Sequence, residues 1–253
     1  MSIEIINLNP PAQAPHRCEA TTSEAYTFLP TEQISKALMD RGWGISSVVN
    51  TKTKAGWRNG FQKHMVRYRN QGQMLKVGDR VAELLLVNSH DGTCTYQFKG
   101  GIFEFICSNG LIVCSREFPG IKITHLGTTL HDVIDASMTV ADTLPKLISQ
   151  VNIMEAIGMT SNERDAFARA AIALRYGQDS PITPDLVLKP RRQEDAAPTL
   201  WKTMNVVQEN LMRGGFYAPH RAGGWQPTRK VEGLEMNLKV NEGIWELAAD
   251  LIR

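Results

Sequence analysis

Apolar positions along this chain change their period near its midpoint, and the change separates two kinds of structure. Before Ser115 the apolar residues alternate with polar ones or form short runs; after Gly127 they recur at helical spacing. "PTEQISKALMDRGW" places Thr31 ahead of a helical stripe of Ile34, Ala37 and Leu38, and Gly42 stops it. "GISSVVNTKTK" and "FQKHMVRYRN" then alternate in part with period two around the turn residues of "AGWRNG", which predicts a hairpin. In its second strand Lys63, Met65, Arg67 and Arg69 share one face, and His64, Val66 and Tyr68 the other. "VAELLLV" is continuously apolar, as in a central strand covered on both sides. "TCTYQFKGGIFEFICSNGLIVCS" supplies two or three further strands, with turns expected at Gly100-Gly101 and Asn109-Gly110.

The second half reads as helices. "TTLHDVIDASMTVADTLPKLISQVNIMEAIGM" keeps one apolar face, with a break expected at Pro145. "TSNERDAFARAAIALRYG" opens on the Thr160 to Glu163 capping-box spacing and ends at Gly177. A proline-punctuated connector, "QDSPITPDLVLKPRRQEDAAPT", precedes "LWKTMNVVQENLMRGGF" and "VNEGIWELAADLIR", two helices flanking a glycine-rich basic loop. The expected class is α+β: an antiparallel sheet in the N-terminal half packed against long helices, with a helical C-terminal region. Expected domains are a flexible arm over 1–25, where Pro10, Pro11 and Pro15 lie among polar residues, a core over 26–180, and a C-terminal region over 181–253.

Composition narrows the class without naming an activity. The 253 residues are 42% hydrophobic and 21% charged, enough to bury a substantial core. No apolar run approaches the roughly 18 residues of a membrane span, and the N-terminus lacks a secretory pattern, so a cytoplasmic protein without a membrane partner is expected. Four cysteines show no CxxC spacing and are expected buried and reduced. The histidines lack HxxxH or HExxH spacing, so neither a metal nor another cofactor is expected. A nucleophile elbow, a phosphate-binding P-loop and a dinucleotide fingerprint are all missing.

Three stretches carry candidate chemistry. In "VNSHDGTCT", Asp91-Gly92 is a strong turn dipeptide, with Asn88 and His90 placed to hydrogen-bond across the turn. Ligand contact and a His-Asp catalytic role are the alternatives, the latter requiring His90, Asp91 and His125 to converge in a pocket. Between Arg41 and Arg80 nine basic residues face the single acid Asp79. Lys52, Lys54, Arg58, Lys63, Arg67 and Arg69, interleaved with Trp57 and Tyr68, fit a groove that neutralises phosphates and stacks bases. The C-terminal loop adds Arg213, Arg221, Arg229 and Lys230 around Phe216, Tyr217 and Trp225. Its composition suits a polyanion or a protein interface.

"VNSHDGTCTYQFKGGIFEFICSNGLIV" resembles the signature of the phage- and plasmid-borne domain-of-unknown-function-932 family. "YTFLPT", "KHMVRYR", "ITPDLVLKPRRQED" and "VQENLMRGG" resemble family segments in the same order. Glu104 departs from the arginine that relatives place after "GIF". The resemblance implies no reaction. Its setting implies DNA metabolism or conflict with host defences, and the element order is similar to that of single-strand annealing recombinases, which form rings or filaments. The expectation is a non-enzymatic, homo-oligomeric protein that binds single-stranded DNA and anneals it. The alternative is an anti-restriction type factor that binds a host protein, such as a nuclease.

Overall fold

The computed structural model describes residues 10–72, 76–77, 80–104, 109–113, 118–219 and 223–252. The chain separates into two compact units, residues 1–110 with 116–148, and 111–115 with 149–253. The division falls near residue 148, and the helix after Thr160 packs with the C-terminal helices.

The strands before residue 130 are β1 (Trp43–Asn50), β2 (His64–Asn70), β3 (Lys76–Val77), β4 (Arg80–Asn88), β5 (Tyr96–Glu104), β6 (Asn109–Val113) and β7 (Ile121–Ile123). They form one sheet in the order β1-β2-β4-β5-β6, with β3 on β4 and β7 on β5. The antiparallel class holds, but three turns differ from expectation, the first being Asn109-Gly110, which opens β6 instead of turning the chain. The connection between β1 and β2 takes all of 51–63, closed where Thr51 donates its amide and hydroxyl to the Lys63 carbonyl, so "TKTK" and "FQK" are loop. Gly100-Gly101 lies inside β5. A Cβ at Gly100 would stand 3.4 Å from Leu144 and Leu147, so glycine here lets a helix approach the strand.

That helix is α3 (Leu144–Ala156), preceded by α1 (Thr31–Met39) and α2 (Leu130–Ala141). Pro145 falls in the first turn of α3, where its missing amide costs no helical bond, and this divides the long helical pattern in two. Thr129 and Asp132 form a capping box at the start of α2. Register places His64, Val66 and Tyr68 beside Asn88, Leu86 and Leu84 on one sheet face. Helix α1 covers it with Ile34 and Leu38, and the Ser35 hydroxyl lies 2.7 Å from the Tyr68 hydroxyl. Leu84 to Val87 are wholly buried, as their unbroken apolar run predicts.

The opposite face holds a buried ion cluster. Glu83 is inaccessible; its carboxylate accepts from Arg67 at 2.6 Å, Arg69 at 2.8 Å and the Ser46 hydroxyl at 3.1 Å. Arg69 also lies over the Phe103 ring at 4.0 Å. Ser46 reaches in because β1 bulges between Ile45 and Ser47.

The second unit contains α4 (Ser161–Tyr176), α5 (Pro184–Val187), α6 (Leu200–Arg213) and α7 (Leu234–Asp250), with the hairpin strands β8 (Tyr217–Pro219) and β9 (Trp225–Pro227). Thr160 and Glu163 cap α4 reciprocally and Gly177 ends it, as the spacing predicts. Trp201 and Trp245 are fully buried. A Cβ at Gly243 would lie 2.7 Å from Leu174, so glycine sets how closely α7 meets α4. Among the described residues no helix is long and apolar enough to cross a membrane.

Replacing Glu83 by Gln strips the charge that compensates two guanidinium groups. A stability loss of about 3 kcal/mol is expected from the urea midpoint, since breaking a buried pair leaves uncompensated charge. Arg69→Gln, at a side chain 29% exposed, should cost less.

Candidate functional site

The "NSHDG" turn, the start of α1 and the start of β2 meet on one atom, the hydroxyl of Thr31. Asn88 donates to it from Nδ2 at 3.0 Å, His64 Nε2 lies 2.8 Å away and His90 Nε2 3.2 Å away. Hydrogen-bonding capacity fixes the protons. His64 Nδ1 is 3.1 Å from the Gln62 carbonyl, which can only accept, so Nδ1 carries the hydrogen and Nε2 is bare. Thr31 must therefore donate to His64 and accept from both Asn88 and His90. His90 is then the Nε2–H tautomer, and its bare Nδ1 is a buried atom with no partner among the described residues. Thr31 was expected to cap the helix; instead Pro30 holds the cap position and the hydroxyl serves the strands.

Burial keeps both imidazoles neutral. It is the main cause lowering His64 to about 4, opposed by the Gln62 carbonyl, and lowering His90 to about 2, helped by His64 and His125 nearby. The rings of His64 and His90 lie 5.3 Å apart, and Phe28 meets His90 edge-on at 4.9 Å.

The turn itself, residues 89–95, is built from its own side chains. Ser89 Oγ accepts the Cys94 amide at 3.0 Å, and Asp91 accepts the Thr93 amide at 3.1 Å and hydroxyl at 2.5 Å. Gly92 takes φ +74°, with Thr22 and the Thr21 carbonyl close to where a Cβ would stand. The turn is therefore closed by other residues than those expected. Asn88 and His90 do not bond across the turn; they point back to Thr31, while Ser89 and Asp91 make the crossing bonds. The turn is also covered rather than exposed. Cys18 donates its amide to the His90 carbonyl, Thr21 donates to the Asp91 carbonyl, and Tyr26 donates to the Ser89 carbonyl. The segment 10–25, expected as a flexible arm, is therefore packed, with Ala12, Ala14 and Cys18 buried, because it satisfies peptide groups the turn leaves open. Residues 1–9 lie outside the described residues.

A His-Asp dyad does not form. Asp91 instead receives Arg58 Nη2 at 3.0 Å and Nε at 3.1 Å. Burial works to raise its pKa, but the Thr93 bonds, Ser89 and the Arg58 charge outweigh it and hold the carboxyl below its ordinary value. His125 joins a different set, stacked at 4.5 Å on Tyr26 and 4.0 Å from Tyr96, its Nε2 donating to the Cys94 carbonyl at 2.9 Å. With His64 and His90 inaccessible, Asp91 2% exposed and His125 6%, the cluster is a buried hydrogen-bond network that ties elements together.

The expected basic groove separates into inward and outward members. Arg67 is 7% exposed and held by Glu83, Arg69 joins the same carboxylate, and Tyr68 is fully buried; none of these three offers phosphate contact or a stacking face. The period-two pattern placed Arg67 and Arg69 on one face correctly, but Glu83 two strands of sequence later neutralises them. Lys52 and Lys54 are exposed, Lys63 is half-buried, Trp57 is 53% exposed, and Arg58 lies over the Trp57 ring at 5.4 Å.

In the second unit the glycine-rich loop forms a hairpin. Tyr217 pairs with Pro227 and Pro219 with Trp225, so these four side chains share one face, with Tyr217 65% and Trp225 64% exposed. Arg229 and Lys230 are exposed, and Arg213 pairs with Glu209 at 2.9 Å. Arg221 lies outside the described residues. A second ion cluster was not anticipated. Arg192 bonds Glu209 at 2.5 Å and Asp195 at 2.8 Å, Lys202 reaches Asp195 at 3.1 Å, and Arg191 donates to Asn210 at 2.8 Å. Its sequence signal was the charge run "KPRRQED" facing "QEN" across the prolines. Cys18 and Cys94 are buried thiols; Cys107 and Cys114 lie outside the described residues.

A family model described as "Domain of unknown function (DUF932)" matches residues 20–245. Two Escherichia coli (strain K12) proteins, UPF0380 protein YafZ and UPF0380 protein YfjQ, are each 34% identical over 231 residues, covering 91% of this chain and 84% of their own length. No solved structure matches the chain.

Thr31→Val keeps the shape and removes the shared hydroxyl, leaving up to three buried groups without their partner. Chemical denaturation should show a loss of about 3 kcal/mol, and Thr31→Ser should recover most of it. The histidines also set a pH dependence. Both have folded values below the unfolded value of about 6.5, so the unfolded chain binds protons first and stability falls as pH drops below 6.5. For His64 the fall levels off near its folded value of about 4, and Tm measured at stepwise lower pH should decline more gently in His64→Gln.

Proposed function

The chain belongs to the DUF932 family, whose description carries no activity, and we propose that it is a non-enzymatic, self-associating protein that binds single-stranded DNA and promotes annealing in phage or plasmid recombination. The observation that carries this reading is the exposed face of the β8–β9 hairpin. Large aromatic side chains left in water are uncommon, and Tyr217 and Trp225 are both about two-thirds exposed on one face. Arg229 and Lys230 follow β9 directly, and Arg213 closes the helix before β8. Aromatic rings stack on any base and neighbouring cations neutralise the phosphates, which gives affinity with little sequence preference.

The first unit carries a second pairing of the same kind, with Trp57 beside Arg58 and with Lys52 and Lys54 on the adjoining loop. The chemistry is positional only: each surface holds a strand by stacking and charge, and Thr93 holds Asp91, the anchor of Arg58, in place.

A second reading, a protein-binding anti-defence factor, draws on the same hairpin. Pro219 and Pro227 beside the two aromatics make a rigid, partly apolar face suited to a protein surface. It requires a complex with a host protein that survives nuclease treatment, with no annealing.

Fluorescence anisotropy with a labelled single-stranded oligonucleotide tests the proposal. Tyr217→Ala with Trp225→Ala should weaken binding by at least about tenfold, given roughly 1–3 kcal/mol per stacked base. Arg229→Gln with Lys230→Gln should reduce the salt slope by about 1.4, the counterion contribution of two phosphate contacts on a single strand. Particle mass measured with and without DNA should show a ring or filament. Absence of binding at low salt would overturn the reading.

A further inference from the structure

The end of α5, the chain after it and the end of α6 line an open cavity of about 460 Å³ within the second unit. Its apolar walls are Leu186, Pro190 and Phe216, and its polar wall carries Lys189, Arg191 and Asn210. That volume and mixture fit a small amphipathic ligand.

The polar wall is organised by Asn210, only 3% exposed. Its Nδ2 donates to the carbonyls of Val187 and Lys189, each at 2.9 Å, and its Oδ1 accepts from Arg191 Nε at 2.8 Å. Two effects follow. The carbonyls at the end of α5, which would repel an anion, are capped from the side. The Arg191 guanidinium is fixed by its inner nitrogen, leaving both terminal nitrogens without a partner among the described residues. Lys189 is exposed, and its ammonium likewise meets no carboxylate among the described residues.

The neighbouring charges explain why these two cations stay available. Asp195 and Glu209 are the acids of this cluster, both buried, and they are engaged by Arg192, Lys202 and Arg213. Three cations therefore share these two carboxylates, and Lys189 and Arg191 are the cations that line the cavity. The rim is held as well. Gly214, at φ +67°, sits where a Cβ would come within 2.6 Å of the Arg229 carbonyl and 2.8 Å of the Thr228 carbonyl, so glycine lets the end of α6 and the strand leaving the hairpin close on each other.

We propose that this cavity is a binding site for the phosphomonoester of a nucleotide, with the phosphate on Lys189 and Arg191 and the nucleoside against Phe216, Leu186 and Pro190. A guanidinium with two free terminal nitrogens matches phosphate oxygens in bidentate fashion, and a flexible ammonium completes the charge. The nucleotide is either free or the 5′ end of a strand. In the latter case the inference rests on the single-strand reading above, since Gly215 and Phe216 lead directly into Tyr217 of the stacking face.

Titration calorimetry of the full chain with adenosine 5′-monophosphate, at ionic strength matched with chloride, tests the site. Saturable binding is expected, lost in Lys189→Gln with Arg191→Gln. Arg191 also donates to the buried Asn210 Oδ1, so the double variant should lose some Tm, whereas Lys189→Gln alone, at an exposed side chain, should weaken binding and keep the wild-type Tm. Tyr217→Ala with Trp225→Ala should bind the mononucleotide as wild type does, which separates this site from the hairpin: its strand affinity reports on the proposed function and its mononucleotide affinity on the cavity. A 5′-phosphorylated oligonucleotide binding more tightly than its 5′-hydroxyl counterpart, in wild type but not in the cavity variant, assigns the ligand to strand ends. Mononucleotide binding without that difference assigns it to free nucleotide. No saturable mononucleotide binding, or equal binding in the cavity variant, overturns the proposal.

Discussion

One hydroxyl group, that of Thr31, holds the first unit to a single arrangement. It belongs to the first residue of α1, and it is shared by His64 at the start of β2 and by Asn88 and His90 at the end of β4 and in the turn beyond. A hydroxyl has one proton to give and two lone pairs to receive, and here all three are engaged. The helix cannot slide along the sheet, nor β2 against β4, without stranding buried polar groups. An apolar contact in its place would favour burial but not this register, because dispersion and hydrophobic forces have little direction. The turn then fixes Asp91, Asp91 fixes Arg58, and Arg58 lies beside Trp57. A chain of directional bonds thus runs from the core to an exposed aromatic on the surface.

The cations of this protein divide by whether a carboxylate reaches them. Glu83 draws Arg67 and Arg69 inward, and Asp195 with Glu209 draws Arg192, Lys202 and Arg213 together. These pairs are structural, since a buried guanidinium without compensation is costly. Lys54 in the first unit and Lys189, Arg191 and Arg229 in the second are exposed, and Lys189 and Arg191 stand beside the apolar wall of Leu186, Pro190 and Phe216. Total charge says little about partners here; the residual after internal pairing says more.

The segments that resemble the family signature converge in the fold on the same two places. "YTFLPT", "KHMVRYR" and "NSHDG" supply Thr31, His64, Asn88 and His90 to the hydroxyl-centred network. "ITPDLVLKPRRQED" and "VQENLMRGG" supply Arg191, Arg192, Asp195, Glu209, Asn210 and Gly214 to the second ion cluster and its cavity. Within the first set Thr31, His64, Asn88 and His90 are all inaccessible, as a folding device requires. In the second, Lys189 and Arg191 remain open to solvent beside the cavity.

Local patterns in the sequence were enough for the α+β class, the antiparallel sheet, the helices α4 and α6, the capping box at Thr160 and the turn at Asp91-Gly92. Each of these depends on neighbours within one turn or one hairpin, where spacing along the chain is spacing in space. Tertiary structure alone decided the rest. Glu83 lies 14 residues from Arg69, so no local period shows that it takes two cations out of the expected groove. Gly100 read as a turn because the approach of Leu144 and Leu147 is invisible along the strand, and the Pro-rich segment before Tyr26 read as a loose arm because the carbonyls it satisfies belong to His90, Asp91 and Ser89. A sequence states which groups can form a bond. Only the fold brings distant partners close enough to decide which bonds form, and so which charges and rings are left for function.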